Sequence, residues 1–126
     1  MALDAEYINV SFDLDRSGLI WLPEIGDEVA SREKLDQISI LVDPQGLTPK
    51  ELRRYFLWLP TVEQLVQQFE ARQAFIYHAG ITQSLKYETV IRTAEGVIET
   101  TAPSLRVAFG RALHELLTHK TSEAIH

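Results

Sequence analysis

The chain has 126 residues, eighteen acidic against twelve basic side chains, a formal charge of −6 and no cysteine. That length fits one core, so the expectation is a single domain over residues 1–126. The missing thiol excludes disulfide frameworks, thiolate metal sites and cysteine nucleophiles. A 45% apolar, 24% charged composition is that of a globular protein and not of a disordered one.

Residues 1–6 carry Asp4 and Glu6 where a secretory signal needs basic and then apolar residues. No stretch reaches the ~18 consecutive apolar residues of a membrane helix. A cytoplasmic location and no membrane partner are the resulting expectations. Tyr7 to Leu14 alternates, with Ile8, Val10, Phe12 and Leu14 on one side, which predicts a half-buried strand. Asp15-Arg16-Ser17-Gly18 reads as a turn, and Leu19 to Leu22 as a returning strand. Pro23 and Gly26 bound a further short piece, Asp27 to Arg32. Gln37 to Val42 alternates again and ends at Asp43-Pro44-Gln45-Gly46, which has turn chemistry. The first third is thus predicted to be an antiparallel β-meander.

Thr48 with Glu51 forms a capping box, with Pro49 at the first helical position. The predicted helix carries Leu52, Tyr55, Phe56 and Leu59 and stops before Pro60. Thr61 with Gln64 repeats the cap, and Val62, Leu65, Val66 and Phe69 form an amphipathic stripe. A sharply turned helix pair follows from so short a connection. Phe75 to His78 reads as a strand. Leu85 to Arg92 and Val97 to Thr101 read as a hairpin with Ala94-Glu95-Gly96 at its tip. Pro103 and Ser104 open a C-terminal amphipathic helix bearing Leu105, Phe109, Ala112, Leu113, Leu116 and Leu117, with fraying expected from Lys120 to His126. Strands, two helices, strands and a helix make an α+β protein.

Four patterns bear on chemistry. Asp13 to Glu24 resembles an EF-hand calcium loop, with Asp13, Asp15, Ser17 and Glu24 at ligand positions and Gly18 at the turn. The predicted strand before it is the wrong context, and a hairpin tip using Asp, Ser and Gly explains the same residues. His114-Glu115-Leu116-Leu117-Thr118-His119 is one residue too long for a zinc-protease helix, because i and i+5 lie about 140° apart. Gln64, Gln67, Gln68 and Arg72 could face a DNA groove, but residues 61–73 hold one Arg against two Glu. Phosphate neutralisation is therefore lacking and no nucleic-acid partner is expected. No nucleophile elbow or phosphate-binding glycine loop occurs. His78 at a strand end and the acids Glu24, Asp27 and Glu28 are the only starting points for an enzyme.

The aromatic run Tyr55-Phe56-Leu57-Trp58-Leu59-Pro60 cannot all face one core if helical. The leading expectation is therefore a non-catalytic protein-interaction or self-associating module. Its anchors would be Tyr55, Leu57 and Trp58, with Arg53 and Arg54 on a polar rim and another protein or a second copy as partner. A small enzyme with a cleft near residues 23–28 and His78, and a calcium loop at 13–24, are the alternatives. No cofactor is implied. Residues 1–43 hold ten acids and three bases, whereas residues 44–126 hold eight acids and nine bases. The excess negative charge thus belongs to the N-terminal third.

Overall fold

A computed structural model describes residues 5–125. Four helices and two three-stranded antiparallel sheets make the protein α+β. The chain divides into two compact units, residues 1–60 and 61–126.

The first unit opens with helix α1 (Ala5–Arg16), which corrects the predicted strand over Tyr7–Leu14. Its buried residues are Tyr7, Ile8, Val10, Ser11 and Leu14, a helical stripe and not an alternating one. The period-two pattern misled because Tyr7 and Ser11 read as polar positions. Tyr7 is buried because its hydroxyl donates to the Pro60 carbonyl at 2.6 Å, which satisfies the polar tip of an otherwise apolar ring. The turn at residues 15–18 is the end of this helix. Leu19 N–H donates to the Leu14 carbonyl, Gly18 N–H to that of Asp15, and Gly18 has φ 98°. This is a Schellman cap, and the Leu14 and Leu19 side chains at its two ends are both buried. Turns and helix ends both need glycine at positive φ, so the sequence signal is shared. Leu19–Leu22 forms no strand.

Strand β1 (Glu28–Ser31) lies between β2 (Ile38–Ile40) and β3 (Phe56–Trp58). Helix α2 (Pro49–Tyr55) starts at the predicted Thr48 cap, with both halves of the capping box present. It ends at Tyr55, four residues earlier than predicted. Phe56 is extended (φ −127°, ψ 143°), and Ser31↔Phe56, Ala30↔Leu57 and Val29↔Trp58 pair across the sheet. A strand sends neighbouring side chains to opposite faces. Leu57 and Leu59 are buried, while Phe56 and Trp58 pack on the cluster of Trp21, Val29, Leu41 and Leu52. The apolar residues Phe56 to Leu59, which no helix could bury together, are thereby divided between the two faces of the strand.

The second unit runs α3 (Val62–Ala71), β4 (Phe75–Ile81), β5 (Tyr87–Thr93), β6 (Gly96–Ala102) and α4 (Leu105–Ile125). The predicted Thr61–Gln64 capping box and the hairpin tip at 94–96 are present. The expected helix pair is not continuous in the chain, because β3 intervenes between α2 and α3. Ser104 caps α4 by accepting from Val107 N–H at 3.1 Å. The helix is assigned to Ile125, and His126, the last residue of the segment expected to fray, lies outside the described residues. The sheet order is β4-β5-β6, and both helices pack on one of its faces. There Thr89, Ile91, Ile98 and Ala102 are buried, and the Phe69 and Phe109 rings meet at 6.0 Å. The Thr100 hydroxyl donates to the Ala108 carbonyl at 2.8 Å, so its oxygen receives the Thr89 hydroxyl, joining β5, β6 and α4.

Candidate functional site

The face of the β4-β5-β6 sheet turned away from α3 and α4 is built by register. Phe75 lies opposite Arg92, and Arg92 opposite Val97; His78 lies opposite Val90, and Val90 opposite Glu99. Phe75, Tyr77 and Val97 are 70%, 63% and 57% exposed, an apolar group of a size that ordinarily seeks cover. A β-bulge between Ile76 and His78 leaves Tyr77 without a partner on β5. Tyr77 and His78 consequently both stand on this outer face. The Arg92 guanidinium sits 3.9 Å from the centre of the Tyr77 ring, a cation–π stack that holds the aromatic plane in place. The His78 imidazole lies over Gly80, where a Cβ would come within 3.1 Å of its Cε1. From there Nε2 reaches Glu88 Oε1 at 3.4 Å. An open depression of about 630 Å³ flanks Phe75, bounded by Glu70, Gln73, Ala74, Thr93 and Ala94.

β4 is uncovered on more than this face. Only Ile76 and Gly80 of its seven residues are even half-buried. It is also an edge strand, so its outer row of peptide groups faces no neighbouring strand among the described residues.

The residues expected to form an interface fall in the first unit and separate. Arg54 and Tyr55 are exposed at the end of α2, whereas Leu57 is 1% exposed and belongs to the core. Arg53 donates from Nη1 to the Trp21 carbonyl at 2.9 Å, and its own carbonyl accepts from Arg32 Nε. Trp58 is half-buried and its indole N–H is turned inward, as is the Ser11 hydroxyl, neither with a hydrogen-bond partner among the described residues. Arg53, Leu57, Trp58, Ser11 and Asp15 border one cavity of about 20 Å³, room for about one water molecule. It is not a substrate pocket.

The calcium-loop residues are equally dispersed in role. Asp13 and Asp15 lie in the last turns of α1, so an entering helix is present, contrary to expectation. No helix follows Glu24, and the chain turns through Gly26 into β1. Asp15 pairs with Arg32 at 3.3 Å, and the Ser17 hydroxyl donates to the Asp13 carbonyl. Asp27 is buried and accepts from Trp21 Nε1 and Glu24 N–H. Among the described residues no three His, Asp or Glu side chains are grouped to hold a metal ion. His78 belongs to the second unit and the acids at 24–28 to the first. No helix among the described residues is long and apolar enough to cross a membrane.

Sequence reasoning missed the outer face because β4 was read only as a short strand. The signal was present in Phe75-Ile76-Tyr77, two aromatics at strand spacing with no Asp, Glu, Lys or Arg up to Ile81. No protein-family model, no curated protein and no solved structure matches this chain.

Proposed function

We propose that the protein is a non-catalytic interaction module that associates with a second copy of itself, with the outer face of the second unit as its contact surface. The observation that carries this reading is the exposed pair Phe75 and Val97, aligned across Arg92, with exposed Tyr77 stacked on the same Arg92. Aromatics and arginine are the side chains that dominate binding energy at protein interfaces. The charge distribution supports a second copy as the occupant. The second unit has seven acids and six bases, the first eleven and six, so two chains meet with least repulsion through their second units. The contact centre thus moves from the helix-pair aromatics to the sheet, because Leu57 is core and Trp58 half-buried.

Sedimentation velocity over a wide concentration range tests the reading. The wild-type mass should rise above that of one chain, and Phe75→Ser with Tyr77→Ser should return it to one chain with an unchanged circular-dichroism spectrum. A wild-type chain that stays single at the highest concentration overturns it.

A further inference from the structure

Phe75 and Tyr77 share β4 with a row of peptide groups that faces no strand among the described residues, and this specifies how the two copies would meet. We propose that β4 of one copy adds to β4 of the other in antiparallel register, extending two three-stranded sheets into one of six strands. The inference rests on the self-association proposed above and adds its mode. Strand addition supplies main-chain hydrogen bonds that a contact between faces does not. A two-fold axis requires antiparallel self-pairing, in which each residue meets a residue of the same strand. Such a strand must tolerate its own sequence. Residues 75–81 contain no Asp, Glu, Lys or Arg, and the one imidazole, His78, has the Glu88 carboxylate of β5 beside it at 3.4 Å, so the strand brings no uncompensated like charges together. Natural edge strands are ordinarily protected against this pairing by lysine, proline or cover. β4 has none of these, and it is exposed at five of its seven residues. Its one protective device is the bulge at Tyr77, which lies toward one end and leaves His78–Ile81 regular. Pairing also brings the Phe75 and Tyr77 side chains of one copy beside the outer face of its partner, so that one contact uses backbone and aromatics together.

Amide hydrogen exchange on the full chain, at low and high protein concentration alongside sedimentation, tests this mode. The outward-facing amides of residues 75–81 should gain about tenfold or more protection on association while those of β6, the opposite edge, stay unchanged. Ala79→Lys, which puts charge on an exposed position of the edge, should abolish association without altering the spectrum of the monomer. If mass rises with concentration but β4 gains no protection, or if Ala79→Lys associates as well as wild type, edge pairing is overturned and self-association stands. If the mass never rises, both fall.

Discussion

Trp21 Nε1 donates to Asp27 Oδ2 at 2.8 Å, and the same carboxylate oxygen accepts from Glu24 N–H at 2.9 Å. One buried acid thus closes the loop between α1 and β1 on the tryptophan that anchors the first unit's core. A carboxylate that is 6% exposed is tolerable only with such donors. Asp27→Ala should therefore cost about 2–3 kcal/mol, since both donors lose a charged acceptor. Asp27→Asn, which keeps a carbonyl oxygen, should cost less. Urea denaturation of both variants checks the order, and equal losses would reject hydrogen bonding as the cause.

Leu57 and Tyr55 separate the two readings of the aromatic run. With Leu57 buried in β3, Leu57→Ala should lose about 2–5 kcal/mol. Tyr55 is 52% exposed, and Tyr55→Ala should stay within about 0.5 kcal/mol of wild type. A costly Tyr55→Ala beside a cheap Leu57→Ala in thermal melts would contradict the strand at 56–58.

The Thr89–Thr100–Ala108 hydrogen-bond chain is open to an isosteric test. Thr100→Val keeps the shape but leaves the fully buried Thr89 hydroxyl without its acceptor. A loss of about 1–3 kcal/mol is expected. The double variant Thr89→Val with Thr100→Val should be less destabilised than the single one, because no orphaned hydroxyl remains. Denaturation curves in which the double variant is the weaker would refute this account.

Glu51 gives a pH dependence with a defined sign. Its carboxylate accepts the Thr48 backbone N–H, its principal stabilisation, and the capping-box contact with the Thr48 side chain and nearby Arg54 act in the same direction. Together these hold it below the ordinary glutamate range. A carboxyl with a lowered folded-state pKa contributes stability above its unfolded pKa and loses it as pH falls through the folded one. The stability advantage of wild type over Glu51→Gln should therefore be full near neutrality and shrink below the ordinary glutamate pKa of about 4.3. Melting both proteins across the acidic range measures this, and a constant difference down to the acid limit would disprove it.

Local chemistry made much of this fold legible. Both Thr caps sit where Thr48-Pro49-x-Glu51 and Thr61-x-x-Gln64 place them, since capping depends on side chains within one turn. The hairpin tip at 94–96 follows from Gly96, whose φ is 145°. What failed was decided at a distance. Tyr7 is a core residue whose hydroxyl is satisfied by the carbonyl of Pro60, 53 positions away. Phe56–Trp58 leaves the helix because β1 needs a second neighbour. The hairpin tip expected at residues 15–18 is likewise replaced: its Asp, Ser and Gly finish a helix, and nothing in those residues reveals that Asp15 faces Arg32. The contact surface was least legible of all, because exposure depends on which strand is left at the edge.

The bulge in β4 makes Tyr77 a supernumerary residue. Ile76 pairs with Ile91 and His78 with Val90, so excising Tyr77 would leave every other partnership between β4 and β5 as it is. The sheet could be assembled without this residue, and the amphipathic order of the strand would be more regular for its loss. A chain lacking Tyr77 should fold at least as readily, and what it forfeits would measure what the extra aromatic is for.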